Sequence, residues 1–150
     1  MKILIATDGS SFGQAAVDFT ENIISRPDET KVKVVTVVEP YFLNEVETLI
    51  EETDELADLR NASAQQADSV GKTLATELKE KFADSKIEVS NEVLGGAAAR
   101  AIVEKAEEWD ADLIVVGSHG HGFWKRSWLG SVSDRIAHHA PCSVAIVRQK

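Results

Sequence analysis

Five short apolar runs, separated by stretches with helical periodicity, constrain this chain's fold more than any other feature. The runs are Ile3-Leu4-Ile5-Ala6, Val32–Val38, Ile87–Leu94, Leu113-Ile114-Val115-Val116 and Val144-Ala145-Ile146-Val147. Continuous apolar runs are what parallel strands covered on both faces look like. The third run alternates apolar with polar residues, which reads as a sheet edge with one wetter face. Between the runs, apolar residues recur at helical spacing: Ala15, Ala16, Phe19, Ile23 and Ile24; then Val70, Leu74, Leu78 and Phe82; then Ile102, Val103, Ala106 and Trp109. The patterns Ser11-Phe-Gly-Gln14 and Ser131-Val-Ser-Asp134 read as helix starts. A β-α-β-α-β-α-β-α-β order calls for an α/β fold: one open five-stranded parallel sheet with helices on both faces. Strand order 3-2-1-4-5 is expected.

The 150 residues fit one domain, 1–150, with no internal repeat or Gly/Ser linker. No secretory signal precedes the first run and no apolar stretch approaches the length that spans a bilayer, so a cytoplasmic protein without membrane contact is expected. The net charge of −9 argues against a nucleic-acid coat protein, whose phosphate contacts need clustered Lys and Arg. A small anionic ligand stays open, because backbone amides rather than net charge define such a site. A lone cysteine, Cys142, excludes an internal disulfide and a multi-Cys zinc site. The segment Glu45–Asp58 carries seven acidic side chains and no basic one. It reads as a solvated connection with a little amphipathic helix, or else as a partner-binding or lid helix.

In an open parallel sheet, ligands bind beyond the carboxyl ends of the strands, where the winding reverses. Two such ends stand out. The first strand delivers Asp8-Gly9-Ser10-Ser11 to a helix start; the fourth delivers Gly117-Ser118-His119-Gly120-His121-Gly122. The spacing Gly117-x2-Gly120-x9-Gly130-Ser131 suits phosphates, because glycines let amides approach an anion and a helix start attracts one. Lys125 and Arg126, inside that loop, are available to neutralise phosphate. Against this, Ser131-x-x-Asp134 reads equally as an ordinary helix cap. Asp8 suits a ribose hydroxyl, an adenine amine or a water-mediated metal, and equally an Asx turn. Val37 suits a flat base or plain core. His119 and His121 are candidates for phosphate or metal contact, although two histidines without a carboxylate pattern say little about metal. No P-loop, dinucleotide fingerprint or nucleophile elbow occurs.

Taken together, three stretches make the whole chain resemble the universal stress protein family. These are Ile3–Ser10, Ala111–Gly120, and Gly130-Ser131-Val132-Ser133 with His138-His139-Ala140-Pro141-Cys142-Ser143-Val144. The resemblance implies the Rossmann-like adenine nucleotide alpha hydrolase type of sheet and, since Gly-x2-Gly-x9-Gly-Ser is intact, the ATP-binding subgroup. Carried over by position, Ala6, Thr7 and Asp8 become adenosine-side contacts and Val37 the adenine wall. Val116, Gly117 and Gly120 become the ribose and phosphate turn, and Gly130, Ser131 and Val132 the triphosphate-binding helix start. His119 joins this set as a neighbour on the turn. Ala6 departs from the proline of some relatives. The implied cofactor is ATP, with Mg²⁺ held mainly by the phosphates and no protein metal site. The implied partner is a second copy, through the strand Ser143–Arg148.

The sequence offers no general base beside the expected γ-phosphate and no arginine finger beyond Arg126. The expected function is therefore nucleotide-dependent stress signalling by binding, with no catalytic residue assigned. Slow ATP hydrolysis or nucleotidyl transfer, or binding of cyclic AMP or AMP, is the alternative.

Overall fold

The computed structural model describes residues 1–39, 54–119 and 130–148. Five strands, β1 (Lys2–Ala6), β2 (Lys31–Val38), β3 (Glu88–Gly95), β4 (Leu113–Gly117) and β5 (Ser143–Val147), form one sheet. Every pairing is parallel and the order is β3-β2-β1-β4-β5, as expected. Four helices accompany them: α1 (Ser11–Ile23), α2 (Asp54–Lys81), α3 (Ala98–Glu108) and α4 (Ser131–His139). The winding reverses between β1 and β4, where Ala6 pairs with Val116.

The two sheet faces are separate cores. On one, Ile3, Ile5, Val32, Val34 and Val115 pack with Ala16 and Val17 of α1 and with Leu74 and Leu78 of α2. On the other, Leu4, Ala6, Val35, Ile114 and Val116 pack with Ile102 and Ala106 of α3 and Ile136 of α4. The central strands β1 and β4 are buried after their first residue, because helices cover both faces. The edges β3 and β5 are mostly half-buried.

Edge strand β3 is fastened by charge as well as by packing. The Lys33 and Lys105 ammonium groups lie 2.8 and 2.7 Å from the two oxygens of Glu92, and Lys33 also sits 5.5 Å from the Trp109 ring centroid. Burial pushes the Glu92 carboxyl up, but its hydrogen bonds from Lys105 and Lys33 outweigh that and hold it below its ordinary value of 4.5.

Two helix starts differ from the sequence reading. The cap of α1 is Ser10, whose hydroxyl accepts from the Gly13 N–H at 3.3 Å, so Ser11 is the first helical residue. Helix α2 is already helical at Asp54, well before the apolar repeat that opens at Val70, so the end of the acidic segment is helical. At about 42 Å, α2 is longer than the eight-residue β2 beneath it, about 26 Å. Its residues 58–66 are all exposed, and packing begins where Thr36 donates its hydroxyl to the Ala67 carbonyl at 3.0 Å.

Candidate functional site

The first turn is built locally. The Thr7 N–H extends the β1–β2 pairing to the Val35 carbonyl at 3.0 Å. Beyond it, the Thr7 hydroxyl accepts from the Gly9 N–H and the Asp8 carboxylate accepts from the Ser10 N–H at 3.0 Å. Asp8 therefore makes the Asx turn, and it remains exposed at the strand end. Gly9 takes φ +78°, and a Cβ there would meet Val70 of α2 at 3.2 Å. A Cβ on Gly13 would run into the Thr7 hydroxyl, so this turn packs tightly on the first turn of α1.

The second turn leaves β4 beside the first. Gly117 lies so close to α1 that a Cβ would fall 2.7 Å from the Phe12 carbonyl oxygen. Ser118, 1% exposed, then ties three elements together. Its N–H donates to Val147 of β5 at 2.7 Å, and its carbonyl accepts from the Gly130 N–H at 2.8 Å and the Ser133 hydroxyl at 3.2 Å. Its hydroxyl lies 3.1 Å from His119 Nδ1, and the His119 ring is tilted against Phe12 at a centroid distance of 5.3 Å. The glycine turn after β4 and the start of α4 are thus in direct contact, although twelve residues separate Ser118 from Gly130.

The start of α4 differs from its neighbours. Gly130 occupies the N-cap position and, among the described residues, no side chain caps the helix. Ser131 is the first helical residue, so the capping reading of Ser131 does not hold. Helix α1 is capped by Ser10, and the first N–H of α3, at Ala98, donates to the Glu39 carboxylate at 2.7 Å. Among the described residues no side chain meets the positive dipole end of α4, the kind of helix start that attracts an anion.

Beneath these turns, Ala6, Val37, Val116 and Val132 all belong to the core on the α3–α4 face, where the strands end. Ten of the eleven candidate residues lie in the described part of the molecule, on β1, β2, β4, α4 and the turns between them. Thr7 and Asp8 follow Ala6 directly, and Ala6 pairs with Val116, so both glycine turns leave the same end of the sheet. Gly120, His121, Lys125 and Arg126 lie outside the described residues. No group of three or more His, Cys, Asp or Glu suited to a metal ion occurs among the described residues.

The universal stress protein family model matches residues 1–148. The chain belongs to the universal stress protein family. It is 31% identical over 149 residues to a universal stress protein of Methanocaldococcus jannaschii, covering 99% of this chain and 82% of that one. In fold it is similar to the universal stress protein UspA from Lactobacillus plantarum, with TM-score 0.77 and 25% identity over 99% of this chain and 97% of that one. It also shares the fold of a universal stress protein crystallised in complex with cAMP, with TM-score 0.66 and 24% identity over 100% of this chain and 98% of that one.

Two residues of this universal stress protein domain's rim escaped sequence reasoning. Glu39 reads as the polar stop of a strand before Pro40, and only the fold shows it reaching 59 positions along the chain to α3. Phe12 stands in the sequence only as part of the capping pattern Ser11–Gln14, and its contact with His119 depends on β4 lying beside α1. Cys142, which sequence alone leaves open to redox chemistry, is half-buried, and burial pushes its thiol up, away from the reactive thiolate.

Proposed function

We propose that this chain binds an adenine nucleotide, ATP with Mg²⁺ in the first instance, over the ends of β1 and β4. In this reading binding itself is the function: the protein is a nucleotide-dependent stress or signalling module in the cytoplasm, working as one domain over residues 1–150. The observation that carries it is the open start of α4, held against the glycine turn by the Gly130–Ser118 hydrogen bond. Amides of an uncapped helix start beside a glycine turn bind the phosphates. Ala6 and Val37 lie under the nucleoside, and the Mg²⁺ rests on phosphate oxygens. No described helix is long and apolar enough to cross a membrane, and the net charge of −9 disfavours nucleic acid. The half-exposed apolar edge β5 supplies the contact for a homodimer. A second reading, cyclic AMP in the same place, is favoured by the similar universal stress protein solved with cAMP.

The test is calorimetric titration of ATP and of cyclic AMP into the wild type and Ser131→Asp. An aspartate in the first turn suits the helix dipole, so the melting temperature holds or rises, while its charge repels phosphate. The expected result is at least about tenfold weaker ATP binding at unchanged stability, the loss of one charge-assisted contact or more. Unchanged ATP affinity in this variant, or no nucleotide bound by the wild type, overturns the reading. Tighter binding of cyclic AMP than ATP selects the second one.

A further inference from the structure

We infer that Glu39 selects the purine at this site, accepting a hydrogen bond from the amino group of a 6-aminopurine and rejecting 6-oxopurines. The inference rests on the nucleotide reading above and assigns a specificity role to a residue outside the glycine turns.

Three observations place it. First, Val37 pairs with Leu94 across the tops of β2 and β3, and both belong to the apolar core on the α3–α4 face. Together they form a small shelf at the strand ends. Glu39 follows two residues later, about 6.6 Å further along an extended chain, and reaches α3 on that same side. A purine lying on Val37 extends over that distance. Second, one oxygen of Glu39 is fixed by the Ala98 N–H at 2.7 Å. The carboxylate makes no other hydrogen bond or ion pair among the described residues. A carboxylate accepts and cannot donate, so its second oxygen favours an amino edge and repels a carbonyl edge. Third, the turn after β3 leaves room there. A Cβ on Gly95 or Gly96 would meet no described residue within 4 Å, and Gly95 has no positive φ that would require glycine. Open space beside glycine is where a ligand approaches backbone closely.

A buried or half-buried acceptor left facing a carbonyl discriminates more strongly than a missing methylene, because both groups lose water without gaining a bond. The experiment compares ATP with ITP, its 6-oxo counterpart, by calorimetry on the wild type and Glu39→Gln. Glutamine keeps an oxygen for the Ala98 N–H and offers an amide N–H₂ in place of the second oxygen. The wild type is expected to bind ATP about tenfold or more tightly than ITP, the scale of one hydrogen bond won or lost. In Glu39→Gln that ratio collapses or reverses. A second measurement needs no variant: N6,N6-dimethyl-ATP, which has no amino hydrogen, binds the wild type about as weakly as ITP. Should both nucleotides bind with the same ATP-to-ITP ratio in wild type and variant, the role of Glu39 is overturned while the nucleotide reading stands. Should dimethyl-ATP bind as tightly as ATP, the role is likewise overturned. Should the wild type bind no nucleotide, both fall together.

Discussion

Gly117 shows how much of the site depends on single atoms. It ends β4 and lies against the first turn of α1, so a methyl group there overlaps the Phe12 backbone rather than a side chain that could swing away. Gly117→Ala is expected to lower stability by about 1–3 kcal/mol, the usual cost of overpacking, as a shift of the urea midpoint. Glycines at 117 and 130 were legible in the sequence, because their spacing with Ser131 is a local pattern. The reason for Gly117 was not legible, since its neighbour Phe12 stands more than a hundred positions away. Asp8 illustrates the opposite limit. Its Asx turn, one of two readings that Asp8-Gly9-Ser10 left open, is present, and Asp8 stays exposed at the strand end.

At the level of elements, the sequence disclosed those whose period is written along the chain. Strands β1, β2 and β4 are continuous apolar runs, and the order β3-β2-β1-β4-β5 follows from alternating strands and helices once crossovers are counted. Helix starts were harder to place. Ser10 and Ser11 are equally good caps by type, and the choice falls to Ser10 because Asp8 turns the chain there. The fastening of β3 to α3 was also hidden, because Lys33, Glu92 and Lys105 come from three elements. This network makes stability depend on pH in a defined direction. The Glu92 carboxyl is held below 4.5 in the folded protein, so its contribution is complete above that value and is lost as pH falls through the folded one. Glu92→Gln is expected to be less stable than the wild type at neutral pH and to lose less on acidification from pH 5 to 3. Thermal melts across that range read the difference. Parallel curves for the two proteins would contradict it.

For the molecule as a whole, the two sheet edges have different fates. β3 carries the charged cluster, while β5 presents Val144, Ala145, Ile146 and Val147 only half-buried, two toward each core. Sequences of this kind belong in strands covered on both faces. Ala145 is the middle residue of the strand, so in a two-fold pairing of copies it lies nearest the axis and opposite itself. The wild type is therefore expected to sediment as a dimer and Ala145→Lys as a monomer, since two lysines would face each other across the axis. A dimeric Ala145→Lys would move the contact elsewhere.

Helix α2 has a consequence of another kind. Below Ala67 its turns are pinned by Thr36, by Asp68 bonded to Asn91, and by Leu74 and Leu78 in the core. Above it, the nine residues 58–66 are all exposed. Hydrogen exchange is therefore expected to be slowest in the turns from Ala67 to Leu78, where the core holds the rod.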